Sequence, residues 1–134
     1  MRLIIAGLVV SLTPGLPAVP AAAGADKSPH LARAVMCESL ADYVPRGVAV
    51  VFSIEVGRIF CYTEFDIVPA KTVVYHKWFR RDQLVTTKRL TLKPPRWSSY
   101  SSIQLREADK GPWRVEITDR KGAVLHVLRF SLTD

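Results

Sequence analysis

The chain has little of what enzymes and metal centres are usually built from. Cysteine occurs twice, at Cys37 and Cys61, and histidine three times, at His30, His76 and His126. The histidines lie far apart, and none has a second ligand at the spacing that holds zinc. There is no glycine-rich phosphate loop and no nucleophile-elbow serine motif. These absences lead us to expect no metal, no cofactor and no catalytic residue. Sustained helical stripes are missing after the first thirty or so residues, which argues against a helical bundle.

One apolar run is present, but it is short. Leu3–Leu12 spans ten residues, whereas a membrane helix needs roughly 20. Arg2 precedes it, Pro14, Pro17 and Pro20 follow it, and Ala23-Gly24-Ala25 fits the small-residue cleavage pattern. This order is that of a secretory signal peptide; the alternative is an uncleaved anchor extended through the Pro/Ala segment. The organisation expected is a signal peptide (1–25), a short linker (26–30) and one domain (31–134). The full chain carries +7, and loss of 1–25 removes only Arg2. Export to a bacterial periplasm or to the cell exterior follows as the expectation. In such an oxidising compartment Cys37 and Cys61 can pair. The bridge would contribute roughly 3 kcal/mol by closing its loop. Two small buried thiols pack equally well unbonded, and spacing alone leaves both readings open.

The dominant period is two. Trp113, Val115 and Ile117 alternate with Arg114, Glu116 and Thr118, as on a half-buried strand. The stretches 48–55, 58–65, 72–79, 83–92 and 123–132 are also rich in β-branched and aromatic residues. Turn signals separate them: Val56-Gly57-Arg58, Arg80-Arg81-Asp82, Lys93-Pro94-Pro95 and Asp119-Arg120-Lys121-Gly122. We therefore expect an all-β domain, an antiparallel immunoglobulin-like β-sandwich of about seven to eight short strands. Segment 31–44 is rich in Ala, Leu and Met and stays undecided on propensity.

Four motifs occur in order: Tyr62-Thr63-Glu64, His76-Lys77-Trp78, Arg96-Trp97 with Ser101-Ser102, and Gly111-Pro112-Trp113-Arg114-Val115-Glu116. Together they resemble the bacterial family called domain of unknown function 2914, over about Ala32 to Phe130. Tyr62 departs from the family's usual Phe. The resemblance implies a β-sandwich, a strand over 31–39 and an association with bacterial envelopes. It implies no activity. It singles out Glu64, His76, Trp78, Arg96, Trp97, Ser101, Ser102, Gly111 and Trp113 as motif residues.

The positive charge is concentrated. Lys71, Lys77, Arg80, Arg81, Lys88, Arg89, Lys93 and Arg96 fall in one segment whose only acid is Asp82. If neighbouring strands bring these side chains to one face, that face attracts anions. The expected ligand-binding set is Lys77, Arg80, Arg81, Lys88, Arg89, Arg96 and Trp97. The same charges also read as an edge kept basic to discourage pairing. Strand parity turns His76 and Trp78 inward and Lys77 outward. The leading expectation is a non-catalytic binding or scaffolding module of the envelope, meeting an anionic glycan, a lipid head group at a membrane surface, or an acidic protein. The export signal argues against nucleic acid. Two alternatives are an accessory hydrolase using Glu64, His76 and a serine of 98–102, and a structural partner joining a larger complex by strand addition.

Overall fold

The structure, a computed structural model, describes residues 14–15 and 28–134. The expected signal peptide lies outside the described residues except for Pro14 and Gly15. Among the described residues no helix is long and apolar enough to cross a membrane.

Among the described residues there are ten strands: β1 (His30–Cys37), β2 (Ser39–Ala41), β3 (Val44–Arg46), β4 (Val51–Ser53), β5 (Arg58–Ile67), β6 (Thr72–Arg80), β7 (Gln83–Leu92), β8 (Trp97–Gln104), β9 (Gly111–Asp119) and β10 (Val124–Thr133). One sheet has the order β1-β5-β8 and a second the order β4-β10-β9-β6-β7; β2 and β3 form a two-stranded ribbon. Every ladder is antiparallel except β4–β10.

The two larger sheets share one core, so the architecture is sandwich-like. Met36, Ile59, Cys61 and Phe65 come from the three-stranded sheet. Val74, Trp78, Trp113, Val115, Ile117, Phe130 and Leu132 come from the five-stranded one. The period-two alternation of β6 and β9 places these side chains on one face. Trp78 meets Phe130 edge-on at 6.1 Å, and Trp113 stacks on the same ring at 6.1 Å. Truncating a ring buried like this costs about 3–5 kcal/mol.

Ten strands form where seven to eight were expected, and the surplus lies in the three-residue strands β2, β3 and β4. The stretch 48–55 yields only Val51–Ser53. The Ser53 hydroxyl accepts from the Glu55 N–H and starts a 3-10 turn at Ile54–Val56, which Gly57 closes at φ 79°. Segment 31–44 becomes β1 and the β2–β3 ribbon, in line with the strand that the family resemblance implied. The domain begins at His30, inside the expected linker. The ribbon turns through Asp42 and Tyr43 at φ 50° and 60°, and β6–β7 turns through Arg81 and Asp82 at 46° and 65°. Both are two-residue hairpin loops of the kind that favours glycine, built here without one.

Candidate functional site

The cations expected to form one face are divided among three surroundings. Lys77 pairs with Thr87 and Tyr75 with Arg89 across β6–β7, so Lys77 and Arg89 share the outer face. Lys88 pairs with His76 and so lies on the opposite side of β7, an edge strand. An inward-side lysine on an edge is a known guard against strand pairing. Arg80 Nε is buried without a partner. Arg81 lies in the turn against Gly111, where an added Cβ would sit 2.9 Å from its guanidinium. Gly111, at φ 121°, is thus fixed by both backbone and crowding. On the outer face Lys77 pairs with Glu116, while Arg114 bonds Asp82 and lies 4.1 Å from the Phe79 ring. The single basic face is therefore corrected: adjacent residues on a strand point to opposite sides, and acids interleave the outward cations.

Arg96 and Trp97 lie elsewhere, in a groove of about 580 Å³ lined by Ala32, Tyr43, Glu64, Phe65, Asp66, Arg96, Trp97 and Ser98. It sits on the end of the β5–β8 ladder, where Glu64 pairs with Ser98 and Phe65 with Trp97. The β1–β5 ladder is irregular at the same place. Leu31 pairs with Phe65 and Arg33 with Glu64, which leaves Ala32 as an extra residue; His30 pairs with Ile67, which leaves Asp66 unpaired. Both bulged residues line the groove. Bulges of this kind re-aim side chains next to functional sites.

Tyr43 closes the groove from the ribbon. Its ring packs edge-on against Tyr100 at 5.9 Å, and Tyr100 against Phe60 at 5.8 Å. A bulky residue held at φ 60° costs of order 1–3 kcal/mol, and such strain gathers at functional sites. Trp97 is the one exposed tryptophan, at 36%, against 0% for Trp78 and 4% for Trp113. Lys93 Nζ lies 5.6 Å from its ring centroid.

Both carboxylates of the lining are hydrogen-bonded. Tyr62 donates its phenol hydrogen to Glu64 Oε1 at 2.7 Å, and His30 Nδ1 lies 2.6 Å from Asp66 Oδ1. The hydrogen bond from His30 holds the Asp66 carboxyl below its usual range. Neither Glu64 nor Arg96 has an ion-pair partner among the described residues. The groove thus presents a carboxylate and a guanidinium that form no ion pair among the described residues, together with the side chains of Tyr43 and Trp97.

The remaining motif residues build the core. His76 Nδ1 lies 2.7 Å from Ser101 Oγ, and Trp78 Nε1 donates to the same oxygen at 3.1 Å. All three side chains are buried, and burial pushes the imidazole down to about 4. Ser102 accepts from Arg58 at 2.9 Å, and Trp113 Nε1 donates to the Asp109 carbonyl at 2.6 Å. Glu64 lies on the outer face with Tyr62, one sheet face away from His76 and Ser101. The three groups of the expected hydrolase constellation therefore do not assemble, and a substrate has no access to the sealed pair.

The cysteines considered for a bridge are both free and buried. Met36 pairs with Cys61 and Cys37 with Phe60, so the two thiols lie on opposite faces of the ladder. Among the described residues no group of three His, Cys, Asp or Glu is placed to hold a metal.

Tyr43, Asp66, Ala32 and Ser98 were not among the residues read from the sequence as ligand-binding. Tyr43 gave no signal, because Asp42-Tyr43 lacks the glycine of a hairpin turn. Asp66 and Ala32 owe their place to ladder irregularities that leave no pattern in the sequence.

No curated protein matches the chain. A family model described as Protein of unknown function (DUF2914) matches residues 71–132. That span runs from β6 into β10 and contains His76, Trp78, Arg96, Trp97, Ser101, Ser102, Gly111 and Trp113. It is narrower than the 32–130 of the motif reading, and Glu64 falls outside it. Residues 71–132 thus match the model of the same family, DUF2914, Protein of unknown function, that the four motifs resemble.

Proposed function

We propose that this protein is an exported, non-catalytic binding module of the bacterial envelope, and that the groove beside Trp97 seats its ligand. One observation carries the reading: Arg96 and Glu64, both without an ion pair among the described residues, line the same groove as the one exposed tryptophan. Concave sites with a few convergent polar groups are the default binding sites. The strained turn at Tyr43 and the bulged Ala32 and Asp66 meet at the same place, which supports the assignment. The ligand is an anionic envelope component. The exposed cations Lys88 and Arg89 add a long-range field that draws it in and that salt screens.

The test is co-sedimentation of the purified protein with isolated envelope fractions. Wild type is expected to bind, less so as salt rises. Trp97→Ala combined with Arg96→Gln is expected to abolish retention while the thermal unfolding midpoint stays in place. Equal retention of the double variant and wild type would refute the groove.

A further inference from the structure

Resting on the groove as ligand seat, we infer that its ligand is an acidic sugar unit, a pyranose ring bearing a carboxylate within a glycan. The lining matches such a unit group by group. Tyr43 and Trp97 offer aromatic surface, which suits the apolar C–H face of a pyranose; aromatic side chains combine large contact area with few rotatable bonds. Arg96 offers a planar fork of donors that fits a carboxylate in a bidentate manner. Glu64 is an acceptor whose Oε1 is oriented by Tyr62 at 2.7 Å, which leaves Oε2 for a sugar hydroxyl. Ser98, paired with Glu64 across the ladder, adds a hydroxyl that both donates and accepts.

The same lining disfavours the other anions. A compact anion such as inorganic phosphate would answer Arg96 but would leave both rings unused and give Glu64 no hydroxyl donor. A lipid head group would answer Arg96 but would offer the two rings no apolar pyranose face. Neutral sugars would use the rings and Glu64 but leave Arg96 unanswered. Only a ligand carrying hydroxyl donors, an apolar ring face and one carboxylate engages every group named.

Intrinsic fluorescence reads the site directly, since Trp97 alone among the tryptophans is exposed. The probes are trigalacturonate, its neutral counterpart galactotriose, and vesicles of phosphatidylglycerol. Trigalacturonate is expected to shift Trp97 emission and to bind at least about tenfold tighter than galactotriose, the worth of one good charge-assisted contact. Arg96→Gln is expected to bring that ratio close to one, and Glu64→Gln to weaken both sugars alike. Equal affinity for the two sugars in wild type would overturn the carboxylate and leave the groove as a ligand seat. Vesicles shifting Trp97 while neither sugar does would overturn the sugar and again leave the groove. Silence with all three probes, in a protein that still sediments with envelope fractions through Trp97, would overturn the acidic-sugar assignment. Silence without such sedimentation would overturn both readings.

Discussion

Arg96 and Glu64 line one groove without bonding to each other or to any other ion-pair partner among the described residues. An oppositely charged pair so placed would be expected to close if its role were to hold the fold together. Exposed ion pairs contribute about 0–1 kcal/mol, so stability has little to gain from either residue. Arg96→Gln and Glu64→Gln should each change unfolding free energy by less than about 1 kcal/mol in urea titration. A loss of several kcal/mol in either would show a structural role instead.

Ser101 has the opposite character. Its single hydroxyl serves both His76 Nδ1 at 2.7 Å and Trp78 Nε1 at 3.1 Å, and it joins the two sheets through the sealed core. Ser101→Ala removes one oxygen and leaves two buried ring nitrogens without a partner. Each buried group left so costs about 1–3 kcal/mol. The variant should lose about 2–4 kcal/mol by urea denaturation. Ser102→Ala, whose hydroxyl only meets exposed Arg58, should lose less than about 1 kcal/mol.

His76 gives the fold a defined acid limit. Burial holds its imidazole down to about 4, below the 6.5 of the free side chain. Between those two values the unfolded chain binds a proton that the folded one does not, so stability rises with pH across that window. The contribution is complete above pH 6.5 and is lost progressively as pH falls through about 4. Its full size is on the order of 3 kcal/mol. Denaturation midpoints measured between pH 4 and 7 should follow this slope in wild type, and His76→Asn should flatten it.

Cys37 and Cys61 should behave as inert thiols. Burial pushes both thiols up, Cys61 the more strongly, and the thiolate is the reactive form. Ellman's reagent should find no reactive thiol in the native protein and two after unfolding in guanidinium without reductant. A count of zero after unfolding would mean that the pair is oxidised and that the register of β1 on β5 is different.

What the sequence made legible follows from what alternation can carry. Trp113, Val115 and Ile117 declared β9, and His76 and Trp78 declared the inward face of β6, because their apolar neighbours repeat at two. β8 gave no such signal. Its inward positions include Ser99 and Ser101, which are buried because Thr63, His76 and Trp78 bond to them. A polar residue buried for its hydrogen bond looks like a loop residue in a sequence.

The candidate site was legible only in pieces. Arg96, Trp97 and Glu64 each stood out, but their meeting depends on the register of β5 on β8. Tyr43 arrives from a ribbon that propensity did not announce. The basic face misled for a simpler reason: Lys88 and Arg89 are neighbours on a strand, so one must point away from the other.

The central claim is that the Trp97 groove is where a ligand binds. Acrylamide quenching of tryptophan fluorescence tests it most directly, because Trp78 and Trp113 are buried and the quenchable signal belongs to Trp97. Saturation with an envelope glycan fraction should remove the quenchable component in wild type, and Trp97→Phe should lack that component from the start. A wild-type protein that retains the glycan while Trp97 remains fully quenchable would contradict the account.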